Sequence, residues 1–101
     1  MRFLKPLGAL EHAASEHGIN PQEIEEAEED VGYVLKRGKG RKNRRHYFFF
    51  AGTSSRYIVV YLILKTAEYE MQSARPMDPD EVDEYHRKSR TRRNHETKKK
   101  I

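Results

Sequence analysis

The sequence predicts an α+β domain with two N-terminal helices, a four-stranded antiparallel sheet and a C-terminal helix. Three observations carry that prediction. Two helix-start signatures flank the middle of the chain, Asn20-Pro-Gln-Glu23 and Asp78-Pro-Asp-Glu81. Between them, strand-forming residues come in short runs whose links are too short for crossover helices, which implies an antiparallel meander. The 101 residues leave room for one modest core and little for a second domain.

The first helix is expected over Gly8 to His17, where Ala9-Leu10 and Ala13-Ala14 recur at helical spacing and Gly18 supplies the stop. The second begins at Pro21. Asn20 caps it, Glu23 completes the capping box, and Ile19 staples onto Ile24. Ile24, Ala27 and Val31 share its apolar face, and Gly32 ends it. Tyr33-Val-Leu35 makes a first strand, and Gly38 to Arg44 is a basic connection expected to be mobile. Arg45 to Ala51 is an aromatic second strand, turned at Gly52-Thr-Ser-Ser55 into Arg56 to Lys65. That third strand is apolar on both faces and belongs in the middle of the sheet. Tyr69, Met71 and Ser73 alternate with Glu68, Glu70 and Gln72, which describes a fourth strand with one wet face. Asp78 caps the last helix, with Glu81 in the box and Met77 stapled to Val82. Its apolar stripe stops after Tyr85. Residues 1–86 therefore read as the domain, and 87–101 as a basic tail, fraying from about His86 into disorder.

Composition removes several function classes. There is no cysteine, so disulfide frameworks and thiolate zinc sites are excluded. The five histidines are scattered without ligand spacing, so no metal is expected. No nucleophile elbow, phosphate-cradling loop or dinucleotide fingerprint is present, and no cofactor is implied. The N-terminal Met1 to Pro6 is broken by Lys5 and Pro6 before a signal-peptide core develops, and Tyr57 to Leu64 is too short to span a bilayer. A cytoplasmic protein with no membrane partner is expected.

Charge is segregated along the chain. Glu11 to Asp30 holds eight acids and no Lys or Arg, whereas Lys36 to Arg45 holds seven bases and no acid. A second basic block, Arg87 to Lys100, contains a single acid, Glu96. Basic patches favour nucleic acid through release of condensed counterions, although such runs also occur as plain solvated surface.

The residues able to do chemistry are cations and phenols around the sheet. RNA can be cleaved by such groups alone, because its 2′-hydroxyl is the nucleophile and the protein need only move protons and neutralise phosphate charge. Arg56 and Arg75 are the candidate phosphate ligands, since the guanidinium fork matches phosphate oxygens. His46 is the candidate proton carrier, imidazole being the side chain that exchanges protons near neutral pH. Tyr85 is the candidate acid. Arg41, Lys42, Arg44, Arg45 and Lys65 are candidate RNA contacts. Each has a structural alternative: Arg75 can pair with Glu81, Tyr85 can anchor packing, and Tyr47 to Phe50 can be core.

One ordered set of motifs looks like a known family. His17-Gly18-Ile19 before a glutamate-rich helix, Arg45 opening a strand, Gly52 and Arg56 around a turn, the Tyr57 to Val60 strand, Ser73-Ala-Arg75, and Glu81 with Tyr85 together resemble the BrnT toxins of type II toxin–antitoxin pairs. Glu16 and Ser55 depart from that pattern. The resemblance implies a fold similar to RelE toxins, ribonuclease activity that arrests translation, and a cognate ribbon-helix-helix antitoxin that binds DNA. It carries Arg56 and Arg75 over first, with Arg45 and Tyr85 behind them. Two other readings stay open: a non-catalytic nucleic-acid or protein-binding module, and a degenerate toxin that retains only its antitoxin partnership.

Overall fold

The computed structural model describes residues 1–38 and 45–99, with side chains through Ser89. The elements are α1 (Leu7–His17), α2 (Pro21–Glu29), β1 (Val34–Arg37), β2 (His46–Gly52), β3 (Tyr57–Lys65), β4 (Glu68–Pro76) and α3 (Pro79–Lys99). The sheet order is β1-β2-β3-β4 with every pair antiparallel, the α+β meander that the spacing predicts.

Both N-terminal helices end and start as their local chemistry requires. Gly18 takes the left-handed conformation at φ 66°, its N–H donates to the Ala14 carbonyl and that of Ile19 to the Ala13 carbonyl. This closes the last turn in a conformation that glycine adopts without strain. At α2, Glu23 N–H donates to Asn20 Oδ1 and Asn20 N–H to Glu23 Oε2, the reciprocal box that the sequence signature encodes. Val31 departs from expectation. The helix stops at Glu29, Asp30 turns outward at ψ 112°, and Val31 is left 74% exposed. The carboxylate of Asp30 explains the early stop, because it accepts the N–H groups of Gly32 and Gly52 and ties the chain to the end of β2.

Two clusters of apolar side chains lie on opposite faces of the sheet. On one face Ala13 of α1 with Ile24 and Ala27 of α2 pack on Phe49, Ala51, Ile58, Val60, Leu62, Met71 and Ala74. On the other, Tyr85 of α3 packs on Phe50 and Val59, flanked by Val34, Phe48, Tyr61 and Met77. The central strand β3 serves both, as an apolar run on both faces requires. The larger cluster carries most of the stability, since each fully buried Ile, Leu or Phe contributes about 1.5–3 kcal/mol. The N-terminal segment closes the outer edge of β4 by a bridge from Leu4 to Glu70, latched by the Lys5 ammonium on the buried carboxylate of Glu28 at 2.7 Å.

The C-terminal helix is longer than the apolar stripe predicts. Instead of ending near His86, α3 is helical to Lys99. Arg, Lys and Glu are strong helix formers, so the backbone continues where no apolar face remains to direct it.

Candidate anion and nucleic-acid site

The geometry of the site is decided by one irregularity in β4. Tyr61 faces Ser73, yet the next residue, Leu62, faces Met71, so Gln72 is an extra residue, a β-bulge. A one-residue insertion reverses the face on which every later side chain stands. Met71 and Ala74 consequently both enter the α1/α2 core, and Arg75, paired with Val59, stands on the α3 face. Strict alternation from Met71 would have placed it on the opposite side.

Arg75 is held by the start of α3. Its Nη1 and Nη2 donate to Glu81 Oε1 and Oε2 at 2.6 and 2.7 Å, a bidentate pair. Nη1 also donates to the Pro76 carbonyl, and Nε donates to the hydroxyl oxygen of Tyr61. Four of the five guanidinium N–H groups are used. Glu81 closes the capping box of α3 at the same time, accepting from Asp78 N–H while its own N–H donates to Asp78 Oδ1. The pairing shifts both groups in complementary directions. Glu81's hydrogen bonds raise the Arg75 pKa, and the guanidinium holds the Glu81 carboxyl below the ordinary carboxylate range, against the opposing effect of burial.

Around this pair the sheet face is aromatic and half-open. The guanidinium carbon of Arg75 lies 5.6 Å from the centre of the Tyr61 ring, within range of a cation–π contact. Phe48 meets Tyr61 edge-on at 5.3 Å, and Phe48, Tyr61, Ile63 and His46 are all half-buried. Beside Tyr61 in the register, the Ser73 hydroxyl is shut off from solvent and has no hydrogen-bond partner among the described residues.

Arg56 is in a different place. It precedes β3 and reaches to α2 on the opposite face, where Nε and Nη2 donate to Glu23 at 2.9 and 3.1 Å and Nη2 also donates to the Gly18 carbonyl. Ser55 adds a bond to Glu23, and the N–H and hydroxyl of Ser54 both donate to Glu26. Arginine hydrogen bonding is the largest influence on Glu23, whose carboxyl is held below its ordinary range, and it raises Arg56 in turn. The cluster fastens the β2–β3 turn to a helix that carries five glutamates and no base. Arg56 and Arg75 are thus not brought together.

The remaining candidates divide similarly. Tyr85 is 4% exposed and donates to Asp30 Oδ2 at 2.6 Å, so its hydroxyl joins α3 to the end of α2; the packing alternative describes it. Lys65 pairs with Glu70 at 2.9 Å. Arg45 is exposed at the mouth of β2, and its carbonyl accepts from Leu64 N–H. Arg41, Lys42, Arg44 and the expected mobility of their loop lie outside the described residues. Among the described residues no group of three or more His, Asp or Glu side chains is arranged to hold a metal ion, and no helix is long and apolar enough to cross a membrane.

Sequence reasoning gives Tyr61 no role, and places Ser73 only within the Ser73-Ala-Arg75 motif, without its face. The signal for Tyr61 was present: a phenol inside an apolar strand brings a polar tip that needs a partner. The signal for Ser73 was not, because its face depends on the bulge. No protein-family model matches the chain, and no curated protein matches it in sequence.

Proposed function

We propose that this protein is a ribonuclease toxin of a type II toxin–antitoxin pair, working in the cytoplasm, cleaving RNA on the α3 face of its sheet without a metal ion and restrained by a ribbon-helix-helix antitoxin. The observation that supports it most is the placement of Arg75 against Tyr61 on a half-open aromatic face. A guanidinium supplies charge for the phosphate, and the half-buried rings of Phe48 and Tyr61 supply edges against which unpaired bases stack. Basic residues in the segments 36–45 and 87–100 add counterion-releasing contacts. The ordered resemblance to BrnT toxins points the same way.

A second reading is supported by the same arginine. With four N–H groups already engaged, Arg75 suits a surface that holds RNA without reacting with it. One experiment separates the two. Full-length protein incubated with a defined single-stranded RNA in excess EDTA is expected to yield fragments ending in 2′,3′-cyclic phosphate. Intact RNA recovered from a salt-sensitive complex establishes the binding module and ends the ribonuclease reading. A small ribbon-helix-helix protein encoded beside this chain is the expected partner; co-expression is expected to yield a stable complex.

A further inference from the structure

We propose that Tyr61 is the proton donor to the leaving 5′-oxygen during RNA cleavage, an assignment that rests on the ribonuclease reading. The hydrogen-bond direction makes it a donor. A guanidinium nitrogen can only donate, so in the contact with Arg75 Nε the Tyr61 oxygen is the acceptor. Its own hydrogen takes no part in that bond. The phenol therefore has a proton to give, and an oxygen whose lone pair is already in use is a poor acceptor for a second.

Position supports the same role. The ring is gripped edge-on by Phe48 and covered by the guanidinium, so the hydroxyl is fixed within a hydrogen bond of the group proposed to hold the phosphate. When the proton leaves, the negative charge it uncovers faces a permanent cation, which stabilises it. The bulge lies immediately beside Tyr61, and bulges frequently re-aim side chains at reactive sites. Tyr85 cannot substitute, because its hydroxyl is buried and already donates to Asp30.

The step balances without a co-reactant. The 2′-oxygen attacks phosphorus, the bond from phosphorus to the 5′-oxygen breaks, and the departing oxygen takes the Tyr61 proton. The 2′-hydroxyl proton passes to water, from which the phenolate recovers one. The products are a 2′,3′-cyclic phosphate and a 5′-hydroxyl, and the protein is unchanged.

The test compares ordinary RNA with the same RNA carrying a 5′-bridging sulfur at the cleaved bond, a leaving group that departs without being protonated. Tyr61→Phe keeps the ring and removes only the hydroxyl. It is expected to slow cleavage of ordinary RNA about 10²–10⁴-fold and to cleave the sulfur-bridged RNA at close to the wild-type rate. Equal losses on both substrates overturn the acid role and leave Tyr61 as a positioning residue. No loss on either removes it from the site. Wild-type protein that cleaves neither RNA overturns the ribonuclease reading itself, and this assignment with it. If Tyr61→Phe melts early, fluorotyrosine at position 61 replaces it: its more acidic phenol is expected to move the alkaline limb of the pH–rate profile to lower pH, and an unmoved limb refutes the assignment.

Discussion

On one face of the sheet the capping-box glutamate of α2 grips Arg56; on the other, the capping-box glutamate of α3 grips Arg75. The two fastenings share their parts, an Asx-Pro helix start and a carboxylate that closes the cap and takes two nitrogens of a guanidinium, Nε and Nη2 of Arg56 but Nη1 and Nη2 of Arg75. Their surroundings differ. Glu23 is buried and is also bonded by Ser55, on a helix whose other carboxylates repel phosphate. Arg75 borders Tyr61 and a half-open aromatic surface. The same local device is a structural rivet in one place and a candidate site in the other, and what decides is the neighbourhood rather than the arginine.

The sharpest way to break that distinction is to remove each arginine in turn. Arg75→Ala is expected to reduce RNA cleavage at least ~100-fold, as loss of one transition-state charge partner does, while the protein still melts cooperatively. Arg56→Ala is expected to leave cleavage within about threefold. Its stability should fall by no more than about 1 kcal/mol, because the Arg56 side chain is 38% exposed and solvent screens the pair. If Arg56→Ala is the variant that abolishes cleavage, the roles of the two faces are reversed.

Tyr85 offers a second contrast, between an internal hydroxyl and the one at Tyr61. Tyr85→Phe leaves the Asp30 carboxylate short of a donor, a change expected to cost about 1–3 kcal/mol in urea unfolding. Cleavage per folded molecule should be unchanged. A selective loss of activity at full stability would return Tyr85 to the mechanism.

Much of this contrast was visible in the sequence. Both helix starts follow from capping residues acting over four positions, and the strands from runs of aromatic and β-branched side chains, so local chemistry sufficed. The pairing of Arg75 with Glu81 could also be named, as one of two alternatives. What could not be read was the face. Tyr69, Met71 and Ser73 suggest unbroken alternation, whereas the fit of β4 against β3 inserts Gln72, a tertiary effect with no marker such as glycine at that position. The end of α2 was misplaced for a similar reason, since the bond between Asp30 and Gly52 spans 22 residues. α3 outlasts its apolar stripe, which ends at Tyr85, because intrinsic helix propensity and not burial carries the backbone on to Lys99.

Glu81→Gln sharpens the comparison more gently. Glutamine can still close the capping box, so the helix start is kept while the charge opposing phosphate is removed. Stability is expected to drop by about 1 kcal/mol, and RNA affinity measured at fixed salt to rise about fivefold, the equivalent of ~1 kcal/mol. Unchanged affinity means that Arg75 does not meet phosphate. Glu23→Gln, on the acidic face, is expected to leave RNA affinity where it was.

The smallest difference concerns acid. Both capping glutamates have folded pKa values held below the ordinary range, chiefly by hydrogen bonds from Arg56 and Arg75 respectively. A carboxyl depressed in the folded state contributes stability that is present above its unfolded value, about 4.3, and is lost as pH falls through the folded one. Stability should therefore be level near neutrality and decline below about pH 4.5. Each glutamate should supply less than ~1 kcal/mol of that decline, since both pairs are partly screened. Urea unfolding at pH 7 and again at pH 3.5 reads this directly. Glu23→Gln and Glu81→Gln should each flatten the decline, and Glu23→Gln should flatten it more, because Glu23 Oε1 accepts a bond from Ser55 in addition to that from Arg56 Nε, and protonation weakens both. A decline identical in both variants and wild type would place the acid sensitivity elsewhere, with the buried Glu28 and its Lys5 latch the next pair to test.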